Sequence, residues 1–278
     1  DLYAGYLNYH VSETNRISGL YMYDRMRNVA TGSLLDALII PGLVADGILP
    51  ADPRRDPKTD SHYLGLIYEG GTGLINYFME GIYQFGKADD TGLDQHPFYS
   101  AYGHDDYDIN AFAFAGDLEL DLSDSVGWGL KPHLGFIYTS GDDDPEDDNL
   151  EGYTGSLAFQ RWTTFGGENT IIGDGNTMMG TVLYSYLPGF YGNGTPVVVG
   201  GLPNTNSLGT ARGDNPGLTM SSVGVSLSPK KYLMFKSNVN SFWWNEDISV
   251  RSYVDPTIEP IKVDSGYVGT EWDNELLL

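Results

Sequence analysis

The chain has 278 residues, with 15 Lys plus Arg against 38 Asp plus Glu, a formal net charge of −23 and no cysteine. That charge argues against nucleic acid as a partner, and the missing cysteines exclude a disulfide framework and thiolate metal sites. No run approaches 18 apolar residues, so a transmembrane helix is excluded, while membrane-spanning β-structure stays open because its signal is alternation over about ten residues.

Two-residue alternation predicts strands near 1–11, 16–26, 61–69, 73–87, 107–122, 126–140, 217–228, 230–244 and 264–278. Two more, 156–165 and 177–187, fit within the longest gap and together preserve the parity of the series. Tight connections at Ser12–Asn15, Gly70–Thr72, Ser123–Ser125 and Pro229 carry Gly, Pro, Asn, Asp and Ser. Long ones at 27–60, 88–106, 141–216 and 245–263 alternate with them. Such alternation belongs to an up-and-down barrel with short turns at one rim and long loops at the other, and a sandwich does not require it. All of 1–278 reads as part of one all-β domain. Both termini, "DLYAGYLNYHV" and "GYVGTEWDNELLL", are themselves strand-like, so further strands are expected to flank the chain on both sides.

Each strand has a greasy face and a second face with ionisable residues. Ile75, Tyr77, Met79, Tyr83 and Phe85 oppose Asn76, Glu80 and Gln84. Phe112, Phe114, Leu118, Leu120 and Leu122 oppose Asp117, Glu119 and Asp121. Val126, Trp128, Leu130, Leu134 and Phe136 oppose Lys131 and His133, and Val268, Trp272 and Leu276 oppose Glu271, Asp273 and Glu275. The polar face is either the lumen of a membrane barrel or the wet outside of a soluble acidic sandwich that binds carbohydrate through Tyr and Trp. As a lumen it would be lined by Arg25, Arg27, Glu80, Asp117, Glu119, Lys131, His133, Lys236, Glu271 and Asp273. The apolar face would then meet the lipid bilayer and lipopolysaccharide. The density of Tyr and Trp near strand ends, Tyr3, Tyr23, Tyr68, Trp243 and Trp244 among them, suits aromatic girdles at the two interfaces.

Outside the strands, "GDDDPEDDNLEG" (141–152) gathers Asp142, Asp143, Asp144, Glu146, Asp147 and Asp148, hard oxygen donors of the kind Ca²⁺ takes, without the ligand order of an EF-hand. The reading with no metal, plain solvated charge, stands beside it. His96 and His104 share a loop with Asp94, Asp105 and Asp106, but no nucleophile motif or metal-ligand spacing accompanies them, and no enzyme is expected. "PRRDPK" (53–58) is nearly neutralised by its acidic flanks. The apolar run "LLDALIIPGLVADGILP" (34–50) invites burial as a lumen constriction, as a contact for a partner protein, or as a short helix over the rim.

Three stretches, "FMEGIYQFGKADD" (78–90), "PHLGFIYTSGDDDPEDDN" (132–149) and "NPGLTMSSVGVSLSPKKYLMFKSNVNSFWW" (215–244), resemble the alginate-export family of Gram-negative outer-membrane β-barrels. The resemblance implies a monomeric barrel in the bacterial outer membrane, with short periplasmic turns and long extracellular loops. Its lumen would conduct a polar, often anionic, solute such as an anionic saccharide. Export of an acidic polysaccharide calls for an electropositive pore, and the inward residues here are mostly acidic. The expectation is therefore a passive, porin-like channel for a small polar or charged solute. A structural barrel that sheathes or docks an extracellular or electron-transfer protein, and the soluble sandwich, are the alternatives.

Overall fold

The structure, a computed structural model, describes residues 1–27, 58–90, 104–144, 147–153, 216–250, 261–264 and 266–278. In chain order these form β1 (Leu2–His10), β2 (Asn15–Arg27), β3 (Lys58–Gly71), β4 (Ile75–Asp89), β5 (Tyr107–Leu120), α1 (Ser123–Val126), β6 (Lys131–Thr139), β7 (Asn149–Leu150), β8 (Leu218–Lys230), β9 (Leu233–Trp244), β10 (Ile248–Val250), β11 (Ile261–Val263) and β12 (Tyr267–Leu277). The main sheet runs β1-β2-β3-β4-β5-β6-β8-β9-β12, and every neighbouring pair along it is antiparallel. Strands β10 and β11 pair separately, and β7 runs parallel to the far end of β5. Among the described residues β1 and β12 do not pair, so the sheet is an open meander. The expected extra strands at 156–165 and 177–187 lie outside the described residues, as do 34–50 and most of 53–58.

Short and long connections alternate as the turn residues indicated. Between β1 and β2 the backbone N–H groups of Val11 and Ser12 both donate to Asn15 O, and Asn15 Nδ2 donates to Ser12 Oγ at 2.7 Å. Between β3 and β4, Thr72 N–H donates to Ile75 O at 2.8 Å. The β5–β6 connection is longer than its Ser-Asp-Ser motif suggested. Helix α1 closes on Gly127 at φ 72°, and Gly129 follows at φ 58°, a backbone that cannot continue a strand. Strand β6 therefore starts at Lys131, and Val126 and Trp128 sit in the exposed connection instead of extending its apolar face.

In an antiparallel ladder, paired residues put their side chains on the same side of the sheet, so the register sorts the faces. One face carries Leu64, Leu66, Tyr68, Ile75, Met79, Tyr83, Phe112, Phe114, Leu118, Leu134, Phe136, Val223, Val239, Trp272 and Leu276, all exposed. The other carries most of the buried polar side chains: Ser18, Asp24, Ser61, Gln84, His133, Ser222, Ser226, Asn238 and Asn240. The contrast is steep, with Leu66 62%, Val223 61% and Trp272 71% exposed against Ser18 0%, Gln84 2% and Asn240 0%.

Candidate functional site

The polar face is built in rows across the strands. Nearest the short turns, Lys131, Ser226, Lys236 and Glu275 stand in register. The next row is Asn76, Glu119, His133, Gly224, Asn238 and Asp273. After it come Phe78, Asp117, Gly135, Ser222, Asn240 and Glu271. Toward the long connections the face turns apolar: Ala115, Ile137, Leu218, Met220 and Phe242 are buried together, with Phe78, Trp244 and Val268 packed on them.

Side chains link the polar rows. Lys131 Nζ sits 3.3 Å from Glu119 Oε1 and 3.1 Å from Asp121 Oδ2, and Asn76 Nδ2 donates to the same Glu119 oxygen at 3.0 Å. His133 Nδ1 lies 3.7 Å from Asp117 Oδ2, while its Nε2 shares a 2.7 Å hydrogen bond with Asn238 Oδ1. That last bond spans two strand spacings and passes directly over Gly224, where a Cβ would fall 2.0 Å from Asn238 Oδ1 and 2.2 Å from His133 Nε2. Glycine at 224 is thus what lets β6 and β9 bond across β8. Asn240 Nδ2 donates to Glu271 Oε1 at 3.2 Å and Asp273 Oδ2 at 2.8 Å, and Lys236 Nζ lies 3.8 Å from Glu275 Oε2.

On the β1–β5 side a cavity of about 430 Å³ opens at the short-turn end, walled by Arg16, Glu69, Asn76, Phe78, Asp117 and Glu119. Arg16 and Glu69, opposite one another in the register, form an ion pair across it. Counting by register, the face carries the carboxylates Asp24, Glu69, Glu80, Asp117, Glu119, Glu271, Asp273 and Glu275 against the cations Arg16, Lys131 and Lys236.

Of the residues expected on this face, Glu80, Asp117, Glu119, Lys131, His133, Lys236, Glu271 and Asp273 lie there. Arg25 does not: it pairs with Asp60 on the aromatic side, in step with Tyr21 and Tyr23. Arg27 ends β2, and its side chain lies outside the described residues. The polar side of β2 is Arg16, Ser18 and Asp24, and the parity of the tyrosines was the signal that separates the two sets. Val268, expected on the apolar face, lies at a bulge between Tyr267 and Gly269 and packs into the interior cluster. Trp244 joins that cluster too, while Trp243 stays outside, its ring 5.9 Å from Tyr267.

The apolar face is ordered along its height. At the long-connection end Tyr3, Tyr23, His62 and Phe85 form one register row, their rings stacked at 6.1, 4.7 and 5.0 Å. At the short-turn end Tyr68 and Tyr77 meet at 5.1 Å, and the Tyr77 hydroxyl donates to Asn15 Oδ1 and lies 2.9 Å from the Tyr68 hydroxyl. Aliphatic and phenyl side chains fill the space between. Beyond the first row come charged pairs, Lys87 with Asp108 at 3.1 Å and Lys58 with Asp90.

The acidic segment after β6 is stitched onto β5. Ser140 N–H donates to Phe112 O, and Ser140 Oγ donates to Glu151 O at 2.6 Å. Asp142 turns inward, where its Oδ2 accepts the Glu151 N–H at 3.1 Å; burial pushes its carboxyl up to about 8, and the like charges of Asp147 and Glu151 add to this. Asp147 is spent on Asn149, accepting from its backbone and side-chain N–H groups. Among the described residues no three His, Asp or Glu side chains converge on a metal position, and Asp143, Asp144 and Asp148 are exposed. Glu146 lies outside the described residues. At the turn after β5 the Ser123 side chain and N–H, with Lys131, hold Asp121 down to about 2. The His104 ring packs edge-on against Tyr107, and the His104 backbone N–H donates to the tyrosine hydroxyl, while His96 and Asp94 lie outside the described residues.

No family model matches the chain, and no curated protein is detectably similar to it.

Proposed function

We propose that the sheet is a wall of an outer-membrane β-barrel that acts as a passive channel for small polar or charged solutes, with the carboxylate-rich face as its lumen. The observation that carries this reading is the inversion of the two faces. The fifteen exposed apolar side chains named above add up to on the order of 1,000 Å² of greasy surface, well beyond the patch a soluble monomer tolerates. No helix among the described residues is long and apolar enough to cross a membrane, a criterion that does not concern strands.

Dimensions and layering agree with lipid as the missing partner. On β4 the outward run from Ile75 to Phe85 covers ten residue steps before Lys87 ends it. At about 3.3 Å per step this is roughly 33 Å along the strand, or about 25 Å of height at the tilt of a closed barrel, the thickness of an apolar barrel band. Aromatic rows bound the band at both ends, as interfacial girdles do. Closure of the meander into a barrel removes the two free edges that an open sheet would leave.

Selectivity follows from charge and width. Carboxylates outnumber cations on the polar face, so local cation concentration is raised and cations pass more readily than anions. That balance weighs against an acidic polysaccharide as cargo. Conductance of the full chain in a planar bilayer, with reversal potentials in a salt gradient, tests the reading. Stepwise openings with cation preference are expected, shifting toward anions in Glu119→Lys. A folded, inserted protein with no conductance would overturn it.

A further inference from the structure

The cavity at the short-turn end is built along one register row of the polar face. His10, Arg16, Glu69, Phe78 and Asp117 stand opposite one another from β1 to β5, so a ring is set between two carboxylates, Glu69 on β3 and Asp117 on β5. Phe78 packs on the interior apolar cluster and lines the cavity at the same time, which fixes its ring in the wall. Tyr77, the other aromatic of the lining, turns its hydroxyl to Asn15 and Tyr68, on the outward parity of the ladder. Glu13, Glu69, Asp117 and Glu119 line the cavity against one arginine and no lysine. Arg16 is committed to Glu69, and Lys131, which reaches Glu119 from outside the cavity, is shared with Asp121, so the carboxylate excess survives both pairings.

We propose that this cavity is a binding site for a small organic cation, an ammonium or guanidinium group on a short carbon skeleton, with Phe78 as its platform and Glu69 and Asp117 as its flanking carboxylates. Its volume of about 430 Å³ lies in the range of small-molecule sites, about 300–1,000 Å³. Shape selects the class of cation. Glu69 and Asp117 are two strand spacings apart, roughly 10 Å between backbones, and among the described residues no three His, Asp or Glu side chains converge on a metal position. A metal ion therefore finds no shell of ligands there, and in its hydrated form it gains little from the ring. An organic cation spans the gap: its charge lies over the ring face, its N–H groups donate to the carboxylates on either side, and its carbon skeleton covers the phenyl surface. An anion is repelled by the carboxylate excess, and a neutral solute leaves that excess unbalanced. The site rests on reading the polar face as a lumen, at whose short-turn mouth it holds the passing solute.

Calorimetric titration of the folded full chain in detergent micelles with agmatine, which carries a guanidinium and an ammonium, reads the site at fixed ionic strength. One saturable event is expected. Phe78→Leu should weaken it about two- to thirtyfold, while Phe78→Tyr, which keeps the ring, retains it. Asp117→Asn should weaken it about tenfold or more. Glu271→Gln removes the same charge from the same row, roughly 19 Å away along the sheet and beyond the screening length, and should leave binding within about twofold. Absence of saturable binding overturns the proposal. So does binding that Phe78→Leu leaves intact, or that Glu271→Gln weakens as much as Asp117→Asn, since either outcome reduces the cavity to diffuse lumen charge. Tighter binding of glutarate than of agmatine overturns the choice of a cation. Agmatine bound by an inserted chain that does not conduct supports the site and sinks only the channel reading, whereas a conducting chain that binds no agmatine sinks only the site.

Discussion

The two faces of this sheet share one backbone and differ in almost everything else. On one, adjacent strands meet through rings and aliphatic chains that are left exposed, as in the row Tyr3, Tyr23, His62 and Phe85. On the other, they meet through named hydrogen bonds and ion pairs, such as His133 with Asn238 and Lys131 with Glu119. Burial by itself thus does not identify a core in this protein; the side that is covered is the side that needs water-like partners. That inversion of the two faces is the observation on which the membrane-wall reading proposed above rests.

The largest effect separating the faces should come from a charge. Leu66→Arg or Phe114→Arg, at mid-height of the outward band, is expected to lower folding stability in lipid vesicles by about 2–4 kcal/mol. Asn76→Arg, on the polar side near the cavity, should change it by no more than about 0.5 kcal/mol. Denaturant unfolding in vesicles measures both, and equal costs would break the comparison.

A glycine pair sharpens it. Gly224→Ala drives a methyl into the His133–Asn238 bond and is expected to cost about 1–3 kcal/mol. Gly81→Ala, on the outward face with open space around the added carbon, should be neutral or stabilise by up to about 1 kcal/mol. The same unfolding measurement checks them.

The smallest effect is local and lies beyond the strands. Asp142, whose folded carboxyl titrates at about 8 and whose unfolded one titrates near 4, holds its proton more tightly when the loop is closed. The closed form therefore loses stability as pH rises from about 4 to about 8, with no further change above that. Because the loop can open on its own, the loss appears as faster amide exchange over 141–153 and not as global unfolding. Asp142→Asn keeps an acceptor for the Glu151 N–H without the charge, and its exchange, corrected for intrinsic rate, should be flat across that range.

Much of this sheet was legible in the sequence because period-two alternation is a geometric necessity of a strand whose sides meet different media. The faces of β4, β5 and β12 follow directly, and with them Glu80, Asp117, Glu119, Glu271 and Asp273. Misreadings arose where local geometry broke the count. Two glycines at positive φ delay β6 to Lys131, and the bulge before Gly269 turns Val268 inward. On β2 the arginines near its end suggested a polar face, while the tyrosines two and four residues before Arg25 place it on the outer side. The apolar patch of Ile137, Met220 and Phe242 on the otherwise polar face depends on strands far apart in the chain, which no single alternating segment displays. Which medium each face meets was beyond alternation altogether, since a lumen and a wet sandwich surface have the same pattern; the burial of the polar side chains, strand by strand, is what the proposed reading adds to it.

The absence of cysteine makes the central claim open to direct test. Single cysteines placed along β5 at Phe112, Phe114 and Leu118, and at Ala113, Asp117 and Glu119, can each carry a fluorophore in vesicles containing brominated lipid. Strong quenching at 112, 114 and 118, with reaction toward an aqueous maleimide confined to 113, 117 and 119, is the predicted result. Quenching that fails to alternate, or a chain that folds and remains monomeric without lipid or detergent, would contradict it.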